Sequence, residues 1–398
     1  MARILFVQPS LNPPGGGSVV AAWMIQALRS EHTITLLGWT APDLPRINRY
    51  AGTTLTQRDF AVRLVPALVR GLAARSPLPL WRVKNLYLMR RARDQRPDFD
   101  LVVTANNEGD YGLPTVQYVH YPTAHHWRPA RDLRWYSRNP TVRRLYHTVA
   151  ERTLGFDRAR MVGSSTLVNS GYIAGLFEQL HGARPDVCYP PVAGEVPEVP
   201  WEGRQLAFAC IGRFSGEKRL AEILDVIGAV RATHAAVALH ILGSNDDPEI
   251  TAFLRRRAQI APEWIHLHED LDRAALFDVV SRCRFGIHAM HHEHFGMAVA
   301  EMIRAGCVPF VHASGGPAEI VPFPELQFQS ASDAVERIRR VLDDLALQQR
   351  LRAQLAARGA EFSTDRFAAH IRAAVDAALR GSVMPTQPGG DGDLARAG

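Results

Sequence analysis

A chain of 398 residues, 46% hydrophobic and 22% charged, has an ordinary globular composition and is long enough for two domains with a core each. Its net charge of +6 is unevenly spread: residues 57–160 hold 19 Lys/Arg against 9 Asp/Glu, with Trp81, Tyr87, Trp127, Trp135 and Tyr136 interleaved. Four scattered cysteines without paired spacing argue against a disulfide framework or a zinc site, and the lack of eighteen consecutive apolar residues or a signal-peptide core predicts a soluble, cytoplasmic protein.

Residues 3–8 read as a first β-strand, followed by a loop that reaches Gly15-Gly16-Gly17-Ser18 and opens a helix over 17–29. Strands follow over 33–39, 101–105, 116–119 and 161–163, with a helix over 140–154. The basic, aromatic region among them reads either as a solvated Arg-rich surface or as a patch for anionic lipid at the inner membrane surface or for a phosphorylated acceptor. No recognition motif accompanies the charge, so nucleic acid is not expected as a partner. A proline-rich stretch over 184–201 dictates an extended, semi-rigid linker.

Beyond the linker the alternation repeats. Strands are expected over 206–211, 237–242, 265–267, 285–289 and 308–311, and helices over 220–231, 273–283 and 297–305, the last stopping at Gly306. Such alternation means parallel sheets with crossover helices. The fold class is therefore α/β: two doubly wound, Rossmann-like domains, residues 1–190 and 202–361, facing across a cleft where ligands usually bind. Residues 362–379 read as an amphipathic helix, and the Gly/Pro/Asp-rich residues 382–398 as a disordered tail.

The chemistry concentrates at strand ends. Glu293 and Glu301 lie eight positions apart around Phe295-Gly296-Met297, where a buried strand gives way to a helix. Acids there sit where open α/β sheets bind ligands. Glu301 stands about six residues or ~9 Å along the helix from its start, while Glu293 stays at the mouth. Free N–H groups at Gly296 and Met297 between them favour an anion. Hydroxyls at both ends with charge in the middle describe a nucleotide sugar.

Gly212-Arg213 and Glu217-Lys218 follow the first strand of the second half, and two fixed cations there would neutralise a diphosphate; the plainer reading is a solvated basic loop. Gly16 and Gly17 let backbone approach a ligand at a helix start, or simply make a turn. His120 ends a buried strand and is either a structural histidine or a group aimed at the cleft. The spacing of His291, His292 and His294 matches no helix-face zinc pattern, so no metal is expected. Ser314-Gly315-Gly316-Pro317 reads as another glycine turn at the same sheet edge.

In this order the motifs resemble the retaining glycosyltransferases of family 4, which have the two-Rossmann GT-B fold; the resemblance runs from Gly15 to about Leu379. Tyr118-Val119-His120-Tyr121-Pro122-Thr123, Tyr189-Pro190-Pro191-Val192 and Glu293-His294-Phe295-Gly296 look like the GDP-mannose-dependent α-1,2-mannosyltransferases of lipid-linked oligosaccharide assembly. The resemblance implies that Glu293 holds donor-sugar hydroxyls and Glu301 the ribose. It assigns the diphosphate to Arg213, Lys218 and the backbone of Phe295, Gly296 and Met297. Gly16 and Gly17 would approach the phosphates or the acceptor, and His120 the transferred sugar. It further implies GDP-mannose as donor without cofactor or metal, a glycan, lipid-linked or small-molecule acceptor, and a C-terminal helix that completes the first domain. His268-Glu269-Asp270 replaces a glycine many members have, which leaves UDP- and ADP-sugars open.

Overall fold

In the computed structural model, residues 1–12, 15–75, 81–112, 114–123 and 140–381 are described. The expected tail over 382–398 and the Trp127, Trp135 and Tyr136 part of the basic, aromatic run lie outside them. The chain forms two compact units: Met1–Asn48, Thr53–Cys188 and Ala368–Gly398 make one, Arg49–Gly52 and Tyr189–Phe367 the other.

The first unit is a seven-stranded sheet of β1 (Arg3–Val7), β2 (Thr33–Gly38), β3 (Phe60–Leu64), β4 (Leu101–Thr104), β5 (Thr115–Val119), β6 (Ser165–Val168) and β7 (Asp186–Val187) in the order β3-β2-β1-β4-β5-β6-β7. Every pairing is parallel. β4 and β5 are buried throughout and β1 after its first residue, as strands covered on both faces by crossover helices must be. The second unit repeats the plan with β8 (Gln205–Ile211), β9 (Ala238–Gly243), β10 (Ile265–Glu269), β11 (Cys283–His288), β12 (Val308–His312) and β13 (Gln327–Phe328), in the order β10-β9-β8-β11-β12-β13. Phe208 and Phe285 stack at 5.2 Å in its core, and Trp201 meets the Phe285 ring edge-on.

In each sheet the strand order runs outward one way and then reverses, between β1 and β4 in the first unit and between β8 and β11 in the second. Loops leaving these neighbouring strands go to opposite faces, and the crevice beyond the carboxyl ends is the place where such sheets bind ligands.

Some expectations need correction. Residues 161–163 are not a strand: Asp157 caps Ala159 and Arg160, so Arg158–Val162 is helical and the buried strand begins at Ser165. Residues 314–319 are more than a turn, because Gly315–Ile320 forms a short helix with Ser314 before it. Short edge strands β3, β7 and β13 add to the sheets; β3 is largely exposed and the other two are two residues each. From Ala368 onward the helix Thr364–Leu379 clusters with the first unit, where the Arg372 guanidinium donates to the Ala27 carbonyl (3.0 Å) and His370 meets Asp186 (2.7 Å).

All four cysteines are buried and unbridged. Among the described residues no helix is long and apolar enough to cross a membrane, and no group of three or more His, Cys, Asp or Glu is set to hold a metal ion.

Candidate active site

The second unit's reversal point is bridged by an ion pair. Lys218 ends the single turn Gly216–Lys218 after β8, and its aliphatic stem lies against Gly212, where a Cβ would sit 3.3 Å from Cε. Its ammonium donates to both carboxylate oxygens of Glu293, at 3.1 and 3.0 Å, and lies 3.4 Å from Met290 Sδ. Glu293 belongs to the loop after β11, so the pair joins the loops of the two strands that flank the reversal.

A third group completes it. His288, the last residue of β11 and buried, turns Nε2 onto the Glu293 carboxylate. Burial pushes this carboxyl up, but His288 and the Lys218 ammonium outweigh burial and hold it well below the usual carboxylate range. Glu293 is thus an anion at neutral pH, yet its side chain keeps 18% of its exposure, enough to be touched by a ligand.

The backbone carrying Glu293 is seated on glycine. A Cβ on Gly315 (φ +72°) would stand 2.4 Å from the Glu293 carbonyl oxygen, and one on Gly316 2.5 Å from Phe295 Cα. The Gly316 N–H donates to the Glu293 carbonyl (2.8 Å), and the His292 N–H to Ser314 Oγ (2.9 Å). These two glycines therefore permit close approach of the Glu293 loop. Gly296 then turns into the left-handed region (φ +99°) and starts the helix Met297–Arg304. The Phe295 ring is buried between Tyr189 and Phe362, so this residue offers a ligand its backbone only.

Glu301 sits in that helix, buried, with Arg273 Nη1 on Oε1 at 3.1 Å. Burial raises its pKa although the guanidinium works against it. Arg273 also donates twice to the Ala193 carbonyl, at 3.1 and 2.6 Å. Arg213 is exposed and paired with Glu217 (3.0 Å) and Asp246 (2.9 Å), acids of its own loop and of the loop after β9. The structure thus brings Lys218, Glu293 and the Gly296–Met297 helix start together, and leaves Arg213 directed to its local acids. Glu269 is committed to Arg255 and Asn245, which lower its pKa to about 2.

In the first unit, Gly16 and Gly17 open the helix Gly16–Leu28 after β1, and a Cβ on Gly17 would lie 3.4 Å from His120 Nε2. His120 follows β5 and is positioned by a residue with no obvious sequence signal. Asn107 Oδ1 accepts from the backbone N–H groups of His120 (2.8 Å) and Tyr121 (3.0 Å). Glu108 beside it takes Thr123 N and Oγ1. Asn107 has φ +61°, and among the described residues the other positive-φ non-glycine residues are Arg219, Asp270 and His292. All four lie in loops at the carboxyl ends of strands (β4, β8, β10 and β11), where strained backbone costing about 1 kcal/mol or more is characteristic of functional segments.

Two doubly wound parallel units of this kind are the GT-B architecture. The sucrose-phosphate synthase of Thermosynechococcus elongatus shares it with a TM-score of 0.68 over 96% of this chain and all of that one, at 15% identity. Residues 195–361 match the family Glycosyl transferases group 1, so the second unit carries a domain of that group. It is also similar to the enzymes named GDP-Man:Man(3)GlcNAc(2)-PP-Dol alpha-1,2-mannosyltransferase. The Candida albicans protein is 30% identical over 33% of this chain and 24% of its own length, the Xenopus tropicalis protein 34% identical over 42% and 33%. The chain spans a third or less of either relative.

Proposed function

We propose that this chain is a retaining glycosyltransferase that moves a hexose, mannose, from a nucleotide-diphosphate sugar, GDP-mannose, to a hydroxyl of a glycan or glycoconjugate. The observation that carries the reading is the Lys218–Glu293 pair across the strand-order reversal, with Glu301 on the helix that starts four residues after Glu293. A half-buried, accessible carboxylate suits donor-sugar hydroxyls, a second one further along the helix suits the ribose, and the N–H groups between them suit phosphate. Lys218 and Arg213 supply positive charge on one loop, which favours departure of a diphosphate without a metal. In the first unit, His120 and the adjacent Gly16 and Gly17 serve the transferred sugar and the acceptor.

In the reaction proposed, the bond from the anomeric carbon to the diphosphate oxygen breaks as the acceptor oxygen bonds to the same face. The departing phosphate oxygen takes the acceptor's proton. The transition state is oxocarbenium-like, so preorganised charge does the work that a protein nucleophile would otherwise do.

Likeness to relatives named for GDP-mannose favours that donor. A thermal-shift panel of GDP-mannose, UDP-glucose and ADP-glucose tests it, since a ligand at a hundredfold over Kd adds ~2.7 kcal/mol. No shift with any of them would overturn the reading. Incubation with donor alone separates the alternatives: a new sugar nucleotide formed without acceptor marks a nucleotide-sugar epimerase, and binding with no turnover under any acceptor marks a non-catalytic binding protein.

The same reading places the enzyme in the cytoplasm with peripheral membrane contact. Leu68 and Leu72 are exposed one helical turn apart beside Arg70 and Arg75, and Leu145 and Val149 repeat the spacing on the helix Pro140–Thr153. Sedimentation with phosphatidylglycerol vesicles, lost on Leu68→Glu/Leu72→Glu, is the expected result.

A further inference from the structure

The hydrogen bonds on Glu293 are unequal. Among the described residues, Oε2 takes two donors, His288 Nε2 and Lys218 Nζ at 3.0 Å, whereas Oε1 takes Lys218 alone at 3.1 Å. A carboxylate oxygen has two lone-pair sites. Oε2 is therefore filled by protein, and Oε1 keeps one site for a hydroxyl.

The two donors also differ in rigidity. Lys218 ends a four-carbon stem and bridges both oxygens, so it fixes the charge of the carboxylate without choosing between them. His288 is buried at the end of a central strand, between β8 and β12, where the sheet fixes its backbone and burial restricts the ring. Its short side chain reaches one oxygen only. The glycine seat at Gly315 and Gly316 fixes the backbone of Glu293 and leaves its side-chain rotation to these partners.

We propose that His288 is a positioning residue for the donor sugar: by holding Glu293 Oε2 it presents Oε1 to a sugar hydroxyl and sets the enzyme's affinity for the sugar part of its donor. This rests on the glycosyl-transfer reading above. His288 does not touch the substrate. Its effect passes through the orientation of one carboxylate, so it acts on ligands that carry the sugar and spares those that do not.

The test compares GDP-mannose with GDP on three proteins by calorimetry, with mannosyl transfer or donor hydrolysis as the rate. His288→Leu removes the donor and fills the space; His288→Gln keeps an N–H that can reach Oε2. Loss of a hydrogen bond to a charged partner corresponds to roughly ten- to hundredfold. His288→Leu is expected to weaken GDP-mannose binding by that factor and to raise KM, with GDP affinity unchanged within about twofold and His288→Gln restoring most of the loss. Equal loss for GDP and GDP-mannose would mean a merely structural role and would overturn the proposal, as would a His288→Leu protein that binds GDP-mannose like the wild type. A wild type that binds no sugar nucleotide of the panel overturns the glycosyl-transfer reading itself, and this inference with it.

Discussion

Lys218 and Glu293, 75 residues apart in sequence, meet at 3.0 Å across the point where the second sheet reverses its strand order, with side-chain exposures of only 12% and 18%. Removing Lys218 leaves the enclosed Glu293 carboxylate with His288 alone, which costs up to about 3–5 kcal/mol. Lys218→Met should therefore lower the urea midpoint markedly. Lys218→Met/Glu293→Gln, which removes both charges, should recover much of it while transfer activity stays lost. Additive losses in the double variant would mean that the two groups are not energetically coupled.

The glycines of the second unit are not alike, and their environments give opposite forecasts. A methyl on Gly315 or Gly316 would stand 2.4 or 2.5 Å from the backbone of the Glu293 loop. Gly315→Ala and Gly316→Ala should thus displace that loop, lowering both stability and affinity for the donor. Gly228, inside the helix Leu220–Arg231, meets nothing within 4 Å. Gly228→Ala should stabilise by about 0.5–1 kcal/mol, since alanine costs less entropy in a helix. Thermal unfolding of the three variants decides, and a neutral Gly316→Ala would show that the seat can yield.

What the sequence carried plainly was periodicity and punctuation. Buried runs such as 116–119 and 206–211 and the helix 220–231 stand out because a strand covered on both faces is continuously apolar and a crossover helix is not. Short, exposed β3 lacks that contrast, and two-residue β7 and β13 exist only because a longer neighbour offers an edge. Met161 misleads for the opposite reason: it is buried and apolar, but the Asp157 cap one turn earlier decides for helix. The acids, cations and glycines of the candidate site are visible as residue types at strand ends. Their pairing is not. Nothing local says that Lys218 bends to Glu293, that His288 five residues back shares it, or that Gly315 and Gly316 approach Glu293 and Phe295 rather than a ligand. Those follow from which strands lie side by side.

Acid sensitivity should come from half-buried histidines that stay neutral in the fold. Burial, with His266 and His268 adding to it, lowers His240 to about 4; burial, with the His291 ring stacked at 3.7 Å, lowers His312 to about 4. An unfolded histidine titrates near ~6.5. Below that value unfolding takes up a proton that the folded ring refuses, so stability is present above pH ~6.5 and is lost as pH falls towards 4. The depressed carboxyl of Glu293 works in a lower window, since its contribution is present above the ordinary ~4.3 and is lost only below it. Urea midpoints measured from pH 7 to pH 4.5 should fall steadily, and His240→Gln should flatten that slope whatever it does to the midpoint itself. An unchanged slope would remove His240 from the account.

Glu301 offers the sharpest check on the nucleotide end of the site. Arg273 occupies Oε1, and among the described residues no second hydrogen bond reaches the carboxylate. A ribose diol meeting Glu301 therefore has Oε2 to donate to, and a buried carboxylate left without its hydroxyl is penalised by its own desolvation. The wild type should prefer GDP over 2′-deoxy-GDP by about tenfold or more, the size expected for one hydroxyl donated to a charged acceptor. Glu301→Gln should bind GDP more weakly and lose most of that preference. Arg273→Met, which leaves Glu301 buried without its cation, should raise the carboxyl's pKa further, so that GDP binding weakens as the pH is lowered. If Glu301→Gln keeps the full preference for ribose, the diol is held elsewhere and Glu301 serves to anchor Arg273 to the Ala193 carbonyl.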